Sequence, residues 1–283
     1  MLRRTRVFLS ALAIAAVPAI AALSGASAAA APTAAPAHVL TYHSGEQMAI
    51  KHGPVNVKNG GVAVKVGKGH GGTLNLNASA SSTNWSGYAL DGGTYSSVSA
   101  SWVEPKGTCT SATRYSSFWV GLDGYSSNSV EQDGTDTDCS GGKPVYYGWY
   151  EMYPNPSYYF GNTVAAGDHM SASVTYTATN TYQLVLTDST QGWSATTTQT
   201  LSGAPRSSAE VIIEAPCCTN SGGILPLADF GTVNFTNSVV DGSAIGTQNP
   251  TGITMIDNSS RDKDTISGLT SNENFSAKWV RAN

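Results

Sequence analysis

Two-residue alternation of apolar and small polar side chains limits the fold of this chain more than any other feature. Met170, Ala172, Val174, Tyr176 and Ala178 interleave with Ser171, Ser173, Thr175 and Thr177. Past a turn at Asn180 the apolar set continues through Tyr182, Leu184 and Leu186. Upstream, Val98, Ala100 and Trp102 interleave with Ser97, Ser99 and Ser101. Successive strand side chains point to opposite faces, so each stretch has one apolar face to bury. Further strands are expected at Trp193–Leu201, Val233–Phe235 and Phe275–Val280. Helical periodicity and strong helix formers are scarce. Many short strands broken by turn signals predict an all-β fold, an antiparallel β-sandwich. A domain of about 200 residues is large enough to enclose a substantial core.

The pattern begins only near Thr83, and what precedes it has another character. Residues 1–31 comprise a basic start, an apolar stretch from Val7 to Leu23 and a small-residue Ala26-Ser27-Ala28 site, which predicts a secretory signal peptide and an extracellular protein. Arg3-Arg4 raises twin-arginine export, but the residues after it fit that pattern poorly. No later segment supplies the roughly 18 apolar residues of a membrane helix. Residues 32–78 form a basic stretch expected to be a pro-segment, with a possible hairpin around Asn59-Gly60-Gly61, and residues 79–283 the folded domain. Residues 1–78 carry seven Lys/Arg against one acidic residue, Glu46, whereas residues 79–283 carry eight against eighteen. Such asymmetry between parts of a chain is a clue to function. His38, His43, His52 and His70 all precede residue 80.

Four cysteines in a secreted chain imply disulfides. Cys109 and Cys139 flank a strand-like segment and form a plausible pair. Cys217 and Cys218 are adjacent, so they either bridge each other or pair separately with the other two. No spacing here matches a zinc site, and neither metal nor cofactor is expected.

The histidine count excludes much chemistry. A Ser-His-Asp or Cys-His mechanism in the folded domain would have to use His169, a loop residue by its Gly167-Asp168 context. There is no Gly-x-Ser-x-Gly elbow and no His-Glu-x-x-His. Carboxylates and amides remain. In Ala209-Glu-Val-Ile-Ile-Glu-Ala-Pro216, Glu210, Ile212 and Glu214 share one strand face and Val211 and Ile213 the other. A carboxylate among apolar neighbours is costly to ionise, which tunes it for acid–base work. Glu131 and Gln132 face opposite ways, and a side-chain amide can hold a developing oxyanion. Asp133, Asp136 and Asp138 read as a polar turn without an EF-hand pattern. In Tyr146–Pro154, Tyr147, Trp149, Glu151 and Tyr153 share a face that suits either a substrate groove or an aromatic core.

Four ordered blocks, Trp119-Val-Gly-Leu-Asp-Gly, Gln132-Asp-Gly-Thr-Asp, Trp149-Tyr-Glu-Met-Tyr-Pro and Ala209-Glu-Val-Ile-Ile-Glu, resemble the glutamic peptidases, or eqolisins. The resemblance runs over residues 83–283 and includes Asn84-Trp85-Ser-Gly-Tyr and Pro226-Leu-Ala-Asp-Phe-Gly-Thr-Val-Asn-Phe. It implies two long, bent antiparallel sheets and a catalytic pair, Gln132 and Glu214, with Glu210 outside the pair. Trp119, Asp123, Asp136, Trp149 and Glu151 match positions near the family's substrate cleft. Val130-Glu131 replaces an apolar pair, and Ala215-Pro216 replaces an acidic-aromatic pair, without removing either catalytic group. The implied reaction is direct attack of water on a peptide bond of a protein or peptide substrate. A monomer is expected, with no nucleic-acid or membrane partner.

The pro-segment is expected to inhibit, its lysines against the acidic cleft and its histidines repelling one another once acid charges them. Two other readings remain open from the residues alone. One is a carbohydrate-active sandwich with Glu151 and Glu214 as the acid/base pair. The other is a sandwich that only binds sugar or protein.

Overall fold

The computed structural model describes residues 42–55, 79–217 and 223–283. The leader, the hairpin expected around Asn59-Gly60-Gly61, and Cys218 lie outside the described residues. In chain order the strands are β1 (Ser79–Ser82), β2 (Trp85–Asp91), β3 (Ser97–Val103), β4 (Ser117–Leu122), β5 (Val130–Ser140), β6 (Lys143–Tyr153), β7 (Ser157–Tyr159) and β8 (His169–Ala178). They continue as β9 (Thr181–Asp188), β10 (Trp193–Thr200), β11 (Ser208–Glu214), β12 (Thr232–Val240), β13 (Ser243–Ala244), β14 (Thr251–Met255), β15 (Asp264–Ile266) and β16 (Phe275–Trp279). A single 3-10 turn, Ile245–Gln248, is the only helical element among the described residues.

These strands build two sheets, ordered β1-β14-β2-β11-β4-β5-β6-β7 and β10-β9-β8-β3-β12-β16-β15. Pairing is antiparallel throughout except between β1 and β14. The protein is thus the expected all-β sandwich. Alternation places the core as anticipated: Phe118, Val120, Leu122, Val211 and Ile213 of the first sheet meet Trp102, Val174, Leu184, Leu186 and Phe235 of the second. Burying such side chains contributes roughly 1.5–3 kcal/mol each, which drives the sheets together.

The opposite face of the first sheet is also buried. Trp85, Trp119, Trp149, Ile212 and Ile253 form a second apolar cluster there, and it includes Met48 from the stretch preceding β1. Residues 42–55 therefore lie across this face. Met48 N–H donates to Ser157 O at 2.8 Å, Gly45 N–H to Tyr159 O at 2.9 Å, and Tyr159 N–H to Glu46 O at 3.0 Å. Ser157 Oγ donates to Ile50 O. The segment thereby satisfies backbone groups of β7, which lies at the edge of its sheet.

The expected polar turn at Asp133–Asp138 is instead the middle of β5, and all three aspartates are buried. Asp and Gly disfavour strands by local preference. Here β5 pairs with β4 on one side and over eleven residues with β6 on the other. That pairing, with hydrogen-bond donors supplied to Asp136 and Asp138, overrides local preference. Cys109 and Cys139 are disulfide-bonded, the pairing read as plausible from sequence, and Cys217 is also disulfide-bonded.

Candidate active site

The site lies on the outward face of β11, β4, β5 and β6. Register arranges its residues in rows across the sheet. Glu210, Gly121, Gln132 and Glu151 form one row. Ile212, Trp119, Gly134 and Trp149 form the next, and Glu214, Ser117, Asp136 and Tyr147 the third. Gly134 makes the trough between the tryptophans possible. A Cβ there would lie 2.2 Å from Phe118 O and 2.6 Å from Trp119 Cβ, so the strands could not approach as they do.

Every large indole in this region uses its N–H to fix an acceptor, as a buried tryptophan requires. Trp119 Nε1 donates to Glu214 Oε2 at 3.0 Å, and Trp149 Nε1 to Asp136 Oδ1 at 2.6 Å. Trp85 Nε1 donates to Gly53 O at 3.1 Å. Asn84 Nδ2 lies 3.4 Å from Glu214 Oε1 and 3.1 Å from Pro54 O. Tyr147 OH lies between Asp138 Oδ2 at 2.5 Å and Asp136 Oδ2 at 3.0 Å.

Residues 51–54 run through this trough. Gln132 Nε2 donates to His52 O and, at 3.1 Å, to Glu151 Oε2. The His52 N–H donates to the same Glu151 oxygen at 2.8 Å. The His52 ring lies flat on Trp149, with centroids 3.6 Å apart and planes 1° from parallel. Its Nε2 is 3.3 Å from Asp136 Oδ1 and its Nδ1 3.5 Å from Glu151 Oε2. Lys51 Nζ donates to Pro154 O. Among the described residues the basic side chain buried in the cleft is His52; Lys58, Lys65 and Lys68, on which the lysine expectation also falls, lie outside the described residues.

Burial dominates the electrostatics. It pushes Glu214 well above the usual carboxylate range, with His52 pulling down and Glu151 and Asp136 pushing further up. Glu151 is raised by the same loss of water, partly offset by His52. Burial alone would lower His52, but the charge of Asp136, with Glu151 beside it, raises it to about 10. Glu210 is also raised by burial, but its charged neighbours are Asp123, Glu131 and Asp91. It belongs to a different neighbourhood from residues 52–54.

Of the residues singled out in the sequence, Gln132, Glu214, Trp119, Asp136, Trp149 and Glu151 come together around residues 52–54. Asp123 does not share that role. Its carboxylate accepts from Arg206 N–H and Ser207 N–H, both at 2.7 Å, and so ties down the loop before β11. Sequence reasoning did not single out Asn84, Trp85 or Tyr147 as site residues. The signal available was weak: Asn84-Trp85 stood in a matching block, and Tyr147 shared the face of Trp149.

The chain matches the Peptidase A4 family over residues 83–279. Its fold is similar to that of scytalido-glutamic peptidase solved with a transition-state analog inhibitor, at TM-score 0.62 and 29% identity over 70% of this chain and 98% of that one. SCP-B, an eqolisin solved with the tripeptide Ala-Ile-His, aligns at TM-score 0.59 and 26% identity over 70% and 98% of the two chains. Aspergilloglutamic peptidase from Aspergillus niger aligns at 0.53 and 28%, over 59% and 99%. Among curated proteins none matches the chain. With a family match over most of its length and these structural likenesses, the chain belongs to the Peptidase A4 family, the eqolisins, and is a glutamic-type peptidase.

Proposed function

We propose that the protein is a secreted acid endopeptidase made as a zymogen, with Gln132 and Glu214 as its catalytic pair and residues 32–78 as an intramolecular inhibitor. The observation that carries this reading is the path of His52-Gly53-Pro54. It presents one carbonyl to the Gln132 amide and the next two to Trp85 and Asn84, and Asn84 also holds Glu214. A peptide substrate would use the same donors. SCP-B holds a peptide of alanine, isoleucine and histidine, and here Ala49-Ile50-Lys51-His52 enters the cleft.

In the reaction, a water oxygen attacks the scissile carbonyl carbon while the Glu214 carboxylate removes its proton. The side-chain NH2 of Gln132 stabilises the oxyanion that forms. Gln132 Oε1, buried without a protein partner, is an acceptor able to orient that water. Glu214-COOH then protonates the leaving nitrogen as the C–N bond breaks, which restores the carboxylate. No covalent intermediate is required. With residues 42–55 in place, burial raises the pKa of Glu214 and so disfavours the carboxylate form that acts as the base. Departure of the segment returns water to the carboxyl and removes that desolvation.

Casein digestion at pH 3–5 by the acid-incubated chain tests this directly. Gln132→Ala is expected to lose about 10²–10³-fold in kcat, the usual cost of one oxyanion donor. Full activity in that variant would remove Gln132 from the mechanism. A parallel polysaccharide panel tests the carbohydrate-active reading, which would turn over there and leave casein intact.

Protonation of His52 strengthens docking, because its pKa is raised in the bound state. For His52 this is the opposite sign to the repulsion expected among the histidines, of which His38 and His70 lie outside the described residues. A synthetic 42–55 peptide should therefore inhibit the acid-activated enzyme at pH 6 in low salt. The His52→Ala peptide should inhibit at least ten-fold less well, since it leaves two buried carboxylates without their cation. Equal inhibition by both peptides would show that His52 does not hold the segment.

A further inference from the structure

We propose that the slot formed by Asp136, Trp149 and Glu151 is a specificity subsite for a planar cationic side chain, histidine above others, on the substrate residue whose carbonyl reaches Gln132. The proposal rests on the peptidase reading of the same cleft and adds the class of substrate that the cleft takes.

Three features define the slot. Its floor is the Trp149 indole, on which the His52 ring lies at 3.6 Å and within 1° of parallel. Its two ends are carboxylates on the same strand pair, Asp136 from β5 and Glu151 from β6, in the rows on either side of Trp149. Its orientation is fixed from behind, because Trp149 Nε1 and Tyr147 OH both donate to Asp136. Each ring nitrogen of His52 faces one carboxylate, at 3.3 and 3.5 Å. Neither ring nitrogen meets hydrogen-bond geometry, so the two carboxylates act on the ring as charges, and the imidazolium, whose positive charge is shared by both nitrogens, is the form that the pair favours. Ring, floor and both carboxylates are fully buried.

Competing side chains fit less well. A lysine ammonium is compact and has no flat face to lie on the indole. Arginine is planar, but its longer stem carries the guanidinium beyond the point where the two carboxylates bracket the ring. Leucine or phenylalanine would seal two carboxylates into a dry slot with no cation, the arrangement that buried charge tolerates least. Glu151 Oε2 also accepts the His52 N–H at 2.8 Å, so one oxygen reads both the backbone and the side chain of the occupant. The next residue is constrained too. A Cβ on Gly53 would lie 2.8 Å from Cys217 Sγ, so a glycine there suits the path.

The test uses the full-length chain activated in acid and assayed at pH 5, with peptides that differ only at the residue before a glycine: His, Lys, Leu or Phe. Mass spectrometry locates the cut, and kcat/KM is measured for each peptide. The His peptide is expected to be cut on the carboxyl side of that residue with kcat/KM roughly 10²-fold above the Leu and Phe peptides. Lys should fall between. In Glu151→Gln the His/Leu ratio should shrink towards one, whatever the absolute rate becomes. Casein cleavage with Leu or Phe peptides cut as well as the His peptide overturns the slot and leaves the peptidase reading standing. Failure to cut casein and every peptide overturns that reading and the slot with it.

Discussion

Glu214→Gln is expected to lower kcat/KM on peptide substrates by about 10²–10⁴-fold, the range for loss of a positioned general base. The amide cannot take the proton of water, and it turns an NH2 towards either Trp119 Nε1 or Asn84 Nδ2, both of which now donate to the carboxylate. The variant should fold. Glu214 is fully buried with its pKa raised by desolvation, so a neutral replacement removes a charge that the fold accommodates at a cost. Loss of activity together with an unchanged or raised Tm at neutral pH is therefore the expected result. Retained activity in the folded variant would exclude Glu214 as the base. Glu210→Gln, in its separate neighbourhood, should leave far more activity.

The second large effect is on stability. Several carboxyls are buried where loss of water outweighs any compensating charge. Burial, with Asp123 adding to it, raises Glu131 to about 9, and burial raises Glu104 and Asp264 to about 7. Asp133 and Glu210 are pushed well above their usual range by the same cause. None of the oxygens of Glu131, Asp133 and Glu210 has a hydrogen-bond partner. These are acids whose folded pKa exceeds the unfolded one. Their contribution is fully present below the unfolded value of about 4–4.5 and is lost as pH rises through the folded value. A carboxyl whose folded pKa lies above 7 gives up as much as about 3 kcal/mol between pH 4.5 and 7. One such group corresponds to roughly 6–12 °C in Tm for a domain of this size. Calorimetry at pH 4 and pH 7 should show Tm lower at pH 7 by at least that amount. Glu131→Gln should flatten the slope. A Tm that climbs from pH 4 to 7 would contradict the assignment. A protein most stable in acid also suits the proposed acid function.

The two glutamates of β11 show where sequence reading stops. Alternation alone put Glu210 and Glu214 on one face, and the fold agrees. Strand pairing by itself would have favoured Glu210 over the proposed Glu214, since Glu210 shares a row with Gln132 and Glu214 does not. The distinction is visible only in side-chain neighbourhoods: Asn84 and Trp119 hold Glu214 beside residues 52–54, whereas Glu210 faces Asp123, Glu131 and Asp91. The aspartates of β5 failed for a related reason. A run of Asp, Gly and Thr reads as a turn by local preference, and only the flanking strands make it a buried ladder.

The sequence by itself determined the sandwich, because period-two patterning is local and states which side of each strand must leave water. It also determined the short inventory of residues able to carry chemistry, because one histidine in residues 79–283 excludes most mechanisms. Only the tertiary structure decided how that inventory is grouped. His52 is 80 residues from the amide that holds its carbonyl and 99 from the carboxylate that takes its N–H. Contacts at such separations leave no periodic trace in a sequence. They arise where a buried cation, a flat indole and two carboxylates satisfy one another better than water would, and that is settled by packing in three dimensions.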